Sequence, residues 1–348
     1  MPDELQNYIL DAKLDKKTKS RKMKVIIVRV CICFLTFLCL LIGGFFGAVS
    51  VISYGPSTSA RDLFVVSVTE TSAAKFLATW FFNDDDLKKI LSSNTVEASG
   101  QVTDPSLITF PQENSNQTFD INKIEVVEVS GDTYKGKMLV INDPSRVFVG
   151  TCGAFGTGLR GKKVMQMVAD EGCIAGINAG GFEDNNGVGK GGEPIGLVFS
   201  KGKMLWGDLN TSYDVIGFDI NNKLNVGSMT GQAAKDKDMR DIICFGPALI
   251  INNVAAVISG TGGGLNPRSA IGQRSDGAVL LLVIEGRQAN SLGATYGDLI
   301  YQMQEFGAVN AANLDGGMSS HMVYKGEVIT KSSSLYGPRD MPTAILVK

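Results

Sequence analysis

Hydrophobic and polar positions are arranged along this chain in three ways, and each predicts a different element. Residues 30–53 (VCICFLTFLCLLIGGFFGAVSVIS) carry no ionisable group. An apolar run of that length spans a hydrocarbon core as a helix, which needs about 20 residues. Ahead of it, residues 13–24 (KLDKKTKSRKMK) are rich in Lys and Arg, and Arg29 sits at the edge of the run. Such flanks stay cytoplasmic, so a single-pass cell-membrane anchor is expected, with the N-terminus inside and everything after Tyr54 outside. A cleaved signal peptide is the rival reading. The run exceeds the usual signal h-region, and no small-x-small cleavage pattern follows close behind it.

Beyond the anchor the period changes twice. Residues 60–91 have the apolar spacing of a helix, including Phe64, Val65, Phe76, Leu77, Trp80 and Phe81. Residues 92–117 are polar, contain Pro105 and Pro111 and keep no sustained period, so they read as a stalk or linker. Strand patterns begin at Ile121: IEVVEVS, a turn at Gly131–Asp132, then YKGKMLVI, which together predict a hairpin. Helices are expected over residues 162–172 and 294–308, the second with Leu299, Met303 and Phe306 on one face and Gly307 as its stop. Short apolar runs such as ALIINN and AVLLLVIEG lie between them. Strands outnumber helices and hairpin spacing dominates. The expected fold class is therefore α+β, a mixed and largely antiparallel sheet with a few helices, preceded by one transmembrane helix. The expected divisions are a cytoplasmic basic tail (1–24), the anchor (25–53), a juxtamembrane helix and polar linker (54–118) and a folded domain (119–348).

Composition narrows the chemistry. A net charge of −2 gives no global case for a nucleic-acid partner. The chain has 41 glycines against 10 prolines, which predicts many turns and close backbone approaches. Three cysteines (Cys31, Cys33, Cys39) lie in the apolar run and three (Cys152, Cys173, Cys244) beyond it. An odd external set is no complete disulfide framework, so buried single thiols are expected, with a Cys152–Cys173 bridge left open. GTGLRG (156–161) fits G-x-G-x-x-G, but the strand before it ends several residues too early for a dinucleotide turn. FEDNNGVGKGGE (182–193) groups carboxylates and amides without the EF-hand alternation. It reads as a polar loop at the mouth of a site and leaves a divalent cation open. Ser319 and His321 share a strand face, but a serine hydrolase would also need an orienting acid and an oxyanion site.

Three stretches look built for a ligand: AGINAGGF (175–182), GGGLNPRSAIG (262–272) and NAANLDGGMSSHMV (310–323). In each, an apolar strand delivers one polar residue to its end, and glycines then uncover backbone amides that can meet phosphate or sugar oxygens. With FGPALIINN, the run NPRSAIGQRSDGAVLLLVIEGRQANSLGATYGDLIYQMQEFGAVNAANLDGGMSS and GPRDMPTAILV, these motifs follow in the order of the phosphodiester glycosidase family, which the chain resembles over about residues 121–348. N-L-D-G-G-x-S-S with an upstream P-R-[ST]-A-I-G is the specific part. The family pattern usually has a small residue where this chain has Met318, and often I-N-G-G-F-F where this chain has INAGGF.

The resemblance implies a hydrolase acting on a sugar-1-phosphodiester, such as one carrying an N-acetylhexosamine-like sugar, in an envelope or extracellular glycan. It implies Asp315 as catalytic acid residue, nucleophile or base, with Glu285 as the second acid. Substrate contacts would come from Asn178, the amides of Gly180 and Gly181, Arg268, Arg287, Gly316, Gly317, Ser319, Ser320 and Arg339, with Arg268 and Arg339 clamping the phosphate. One carboxylate plus arginines would suffice for that chemistry, and a divalent cation stays open. The rival class is a surface glycan-binding or polysaccharide-assembly protein that keeps the cradle without turnover.

Overall fold

The computed structural model describes residues 2–71, 74–111, 120–184, 188–334 and 336–348. The chain divides into two compact units, 1–61 and 62–348. The first is dominated by one helix, α1 (Pro2–Tyr54). Within it, residues 13–54 are long and apolar enough to cross a membrane, and side chains such as Phe34, Leu40 and Leu41 are exposed.

The second unit contains three large antiparallel sheets around one core, and a two-stranded pair of Val96–Glu97 with Val257–Ile258. The first sheet has seven strands, in the order Val254–Ala255, Ala248–Ile251, Ala308–Leu314, Arg268–Arg274, Val279–Ile284, Lys135–Ile141 and Ile124–Ser130. The second runs Glu327–Val328, Met322–Tyr324, Ala175–Asn178, Thr343–Val347 and Val147–Thr151. The third runs Lys203–Trp206, Val198–Ser200, Met239–Cys244, Ser212–Asp219 and Leu224–Thr230. Alternation explains the layering. In Val279–Ile284, Val279, Leu281 and Val283 enter the core shared by all three sheets, while Leu280, Leu282 and Ile284 face the opposite side. That opposite side is covered by Leu299, Ile300 and Met303 of a helix, Tyr296–Glu305. A strand buried on both faces reads as a continuous apolar run, which is why VLLLVI shows no alternation in its residue types.

The expected hairpin forms with its turn at 131–134. The 162–172 segment is helical over Val164–Asp170, and its Val164, Met167 and Val168 cover the outer face of the second sheet. Tyr296–Glu305 starts with a capping box from Thr295 and Asp298, and Gly307, at φ +78°, ends it.

Two segments differ from their sequence pattern. The stretch expected as one helix over 60–91 is instead α2 (Thr58–Thr69), α3 (Lys75–Phe81) and α4 (Asp84–Ser93). Asn83 starts α4 by accepting the Asp86 amide, and three aspartates follow in the first turn, where the helix dipole favours them. Val65, Val66, Ala78, Leu87 and Ile90 form a small core among these helices. The polar stretch after them is packed against the sheets over residues 94–111. Val96 pairs with Ile258, and buried Thr103 donates to the Val226 carbonyl while accepting its amide. Polar side chains there satisfy strand backbone, which a hydropathy pattern does not reveal. The remainder of the expected linker, 112–118, and residue 119, where the folded domain was expected to begin, lie outside the described residues.

The three external cysteines are free thiols, so the Cys152–Cys173 bridge is not formed. Burial pushes the Cys244 thiol up to about 11.

Candidate active site

Two sheets meet where three strands end. Ala308–Leu314 and Arg268–Arg274 pair with Leu314 opposite Ser269, and Ala175–Asn178 belongs to the neighbouring sheet. Asn178 bridges the junction. Its Nδ2 donates to the Asp315 carbonyl at 2.6 Å, and its Oδ1 accepts from Ser269 Oγ at 2.8 Å and from the His321 amide at 3.3 Å. The Asp315 amide donates across the same junction to the Ala179 carbonyl at 3.0 Å. The chain then turns through Gly316 and Gly317. Gly317, at φ +63°, donates its amide to the Pro267 carbonyl, and a Cβ there would lie 3.4 Å from the Arg287 guanidinium. The left-handed conformation is what favours glycine here.

This turn lines a cavity of about 350 Å³. Asp315, Gly316, Gly317, Met318 and Ser319 form one side; Glu70, Thr71, Asn266, Arg268 and Arg287 form another; Asp184, Phe182, Phe245 and Arg339 close it. The one hydrogen bond of good geometry on the Asp315 carboxyl runs from the Gly316 amide to Oδ1 at 2.9 Å; Oδ2 is out of solvent, and the Ser319 hydroxyl is near enough to favour the ionised form without completing a bond to it. Burial raises its pKa to about 6, opposed by the Ser319 hydroxyl, the Gly316 amide and the charge of Arg339.

The three arginines on the cavity differ sharply. Arg268 is buried, ion-paired to Glu70 at 2.8 Å, bonded to the Ala294 and Gly264 carbonyls and stacked 3.8 Å from the Tyr296 ring. Arg339 is ion-paired to Asp184 and lies over Phe182. Arg287 has no carboxylate partner among the described residues; its Nη2 donates to Thr71 Oγ1 and Asn266 Oδ1, both at 2.9 Å. Its side chain is solvent-accessible, yet desolvation of the guanidinium, and then the nearby Arg268 charge, lower its pKa. The backbone places it at φ +58°, a left-handed conformation rare for a non-glycine residue.

The cavity thus holds an acid with one buried, unpartnered oxygen and a guanidinium without a carboxylate partner among the described residues. A family model described as phosphodiester glycosidase matches residues 171–348, about half of the chain. The chain belongs to that family. A relative in Bacillus subtilis (strain 168), the SPbeta prophage-derived uncharacterized protein YomE, is 31% identical over 198 residues, which are 53% of this chain and 29% of that protein. The chain therefore spans under a third of that relative's length. Among solved structures, the zebrafish N-acetylglucosamine-1-phosphodiester alpha-N-acetylglucosaminidase catalytic domain, described as auto-inhibited by pro-peptide, superposes with a TM-score of 0.54. The superposition covers 69% of this chain and 86% of that one at 18% identity, so the likeness is one of fold.

Within this member of the family, the residues expected from sequence separate into two groups. Asp315, Gly316, Gly317, Ser319, Arg268, Arg287 and Arg339 line the cavity. Asn178 is fully buried beneath it, a brace for Asp315. Ser320 is buried off the lining with an unpartnered hydroxyl.

Three expectations need correction. The amides of Gly180 and Gly181 are already engaged, by Thr343 Oγ1 within the second sheet and by the Cys244 carbonyl of the third, both at 3.2 Å, and neither glycine lines the cavity. Glu285 lies outside the cavity lining, where its Oε1 accepts the Lys331 amide at 2.8 Å. Arg268 faces the cavity but its charge is matched by Glu70, which removes it as a free phosphate clamp. His321 bonds the Ser319 carbonyl through Nδ1 at 2.6 Å, away from the hydroxyl, and burial lowers its pKa to about 4. Among the described residues no three His, Cys, Asp or Glu side chains converge as metal ligands. Glu70, Thr71, Asp184 and Asn266 are among the cavity residues to which sequence reasoning gave no role. Asp184 had a signal in its polar loop at a site's mouth, and Asn266 in the GGGLNPRSAIG stretch.

Proposed function

We propose that this chain is a membrane-anchored, extracytoplasmic hydrolase that cleaves a sugar-1-phosphodiester of an envelope or extracellular glycan. α1 is the proposed anchor, and the basic residues before its apolar stretch favour an orientation with the C-terminal unit outside the cytoplasm. The observation that carries the reading is the pairing of opposites in one cavity: Asp315 Oδ2 without a partner and Arg287 without a counter-ion.

In hydrolysis, the bond from the anomeric carbon to the phosphate oxygen breaks, and its electron pair leaves on the phosphomonoester. A phosphate is a good leaving group, so the demand for a general acid is weaker than in ordinary glycoside cleavage. What remains is to neutralise the phosphate and to stabilise the oxocarbenium-like sugar. Arg287 meets the phosphate. Asp315 Oδ2 faces the anomeric carbon and either adds to it, with water later releasing the sugar, or takes a proton from the attacking water. Both roles need the carboxylate, so turnover rises as pH passes about 6. The zebrafish protein is named for N-acetylglucosamine on a phosphodiester, and an N-acetylhexosamine-like sugar is the substrate proposed here.

The test is to incubate the full-length chain, in detergent, with a panel of sugar-1-phosphodiesters and to follow release of free sugar and phosphomonoester. Release of both in equal amounts is expected. Tight binding of the diesters without either product would make the chain a glycan-binding protein.

A further inference from the structure

One wall of the cavity comes from outside the matched residues 171–348. It is the last turn of α2 and the two residues that follow it. Ser67 Oγ accepts the Leu265 amide at 2.8 Å. The Glu70 carboxylate accepts from Asn266 Nδ2 at 2.7 Å, from Arg268 Nη2 at 2.8 Å and from the Gly264 amide at 3.4 Å. Thr71 Oγ1 accepts from Arg287 Nη2 at 2.9 Å. The approach is close enough to dictate sequence: a Cβ on Gly264 would lie 2.4 Å from Ser67 Cα. Asn94, just after α4, fixes the same loop by accepting the Thr261 amide at 2.7 Å. Helix and loop are thus fitted to each other along their length, which describes a permanent wall.

The charges at that wall follow a division of labour. Three arginines line the cavity, and carboxylates neutralise two of them, Arg268 through Glu70 and Arg339 through Asp184. Arg287 keeps its charge, and two acceptors, Thr71 Oγ1 and Asn266 Oδ1, set where that charge points. Asn266 is itself held by Glu70 through its amide nitrogen, so one carboxylate governs both arginines.

We propose that Glu70 and Thr71 are positioning residues for the phosphate of the substrate: Glu70 ties Arg268 into the wall and Thr71 aims Arg287 at the phosphate. This rests on the sugar-phosphodiester reading above and adds to it that residues 62–71 are part of the working site. A fragment restricted to the matched residues would lack them.

The experiment uses the full-length chain in detergent, with the methyl phosphodiester of N-acetylglucosamine 1-phosphate as substrate. Inorganic phosphate and free N-acetylglucosamine serve as competing ligands. Thr71→Val keeps the shape and removes only the hydroxyl that aims Arg287. Its KM for the diester and its inhibition constant for phosphate should both rise about tenfold, the scale of one charge-assisted hydrogen bond. Inhibition by the free sugar and the melting temperature should not move. A merely structural role would shift both inhibitors, or the melting temperature, together. Glu70→Gln releases the charge of Arg268. Phosphate should then bind several-fold tighter while kcat falls about tenfold, because the diester is drawn away from Arg287. Unchanged constants in Thr71→Val overturn the proposal. A kcat in Glu70→Gln that is unchanged or higher also overturns it, and a higher one would make Glu70 a plug. If Glu70→Gln does not fold, Thr71→Val decides alone. Should the wild-type chain release no product from any sugar-1-phosphodiester, the functional reading fails and takes this proposal with it; a working wild type whose variants do not respond sinks the positioning claim alone.

Discussion

On one side of the cavity Arg268 is saturated: two carbonyls, one carboxylate and an aromatic face surround its guanidinium. On the other, Asp315 has a carboxyl oxygen with nothing bonded to it, and Asn313 Oδ1, Ser320 Oγ and His321 Nε2 nearby in sequence are buried and equally bare. Buried polar groups are nearly always paired, and leaving one unpaired costs about 1–3 kcal/mol. Four such atoms within nine residues mark a place where stability is given up. The saturated arginine marks a place where it is kept. Motif matching treats the two residues alike; their partners separate them into architecture and chemistry.

The largest test of that contrast is Asp315→Asn. Turnover of a sugar-1-phosphodiester should fall by about 10³ or more, within the range general acid–base and nucleophilic groups supply. Stability should move the other way. The folded-state pKa of Asp315 is raised to about 6 from an ordinary value near 3.8, so the folded chain holds this proton more tightly than the unfolded one. The contribution is fully favourable below about pH 4 and is lost as pH rises to about 6. Removing the charge should therefore stabilise the protein at pH 8, by up to roughly 3 kcal/mol, and leave it unchanged at pH 4. Melting curves at the two pH values check this. A variant that is inactive but no more stable at pH 8 would mean the carboxylate is not strained.

The two arginines give the next test, with effects of opposite kind. Arg268→Gln leaves Glu70 facing the cavity without its partner, and a loss of about 2–4 kcal/mol is expected, somewhat less than for a fully buried pair because Glu70 is partly solvated. Arg287→Gln should change stability by under about 1 kcal/mol, because the side chain has no ion pair among the described residues and a glutamine amide can keep part of its hydrogen bonding to Thr71 and Asn266. It should raise KM for the diester by about ten- to a hundredfold. Denaturant midpoints and steady-state kinetics on both variants are sufficient. If Arg287→Gln were the destabilising change and Arg268→Gln the kinetic one, the division between wall and ligand would be reversed.

The sheets were legible because their signals are local. VLLLVI and the hairpin at 131–134 carry their own period, and Thr295 with Asp298 announces the helix start. Asp315, Asn178 and Arg268 were legible as strand ends punctuated by glycine, and they do converge. What sequence could not give was occupancy. The amides of Gly180 and Gly181 look free in a string of letters, yet Thr343 and Cys244, 60 or more residues away, use them. Glu70 had no signal at all. It is an ordinary glutamate just past the end of α2, 198 residues from the arginine it neutralises, and only the tertiary fit of that end against residues 262–266 gives it a role.

Glu285 offers the smallest and most pointed check, since motif position alone would make it the second acid. Its strand alternates, with Ile284 in the outer core and Val283 in the shared one, and the chain then leaves the sheet through Glu285. The carboxylate ends up on the Lys331 amide rather than beside Asp315, a bond that a glutamine oxygen can accept equally well. Glu285→Gln should accordingly keep turnover within about twofold and stability within about 0.5 kcal/mol, because only the charge on an amide-to-oxygen bond at the surface is lost. A deep loss of turnover with an intact fold would show that a second carboxylate takes part, and that the saturated residues around the cavity are not all architecture.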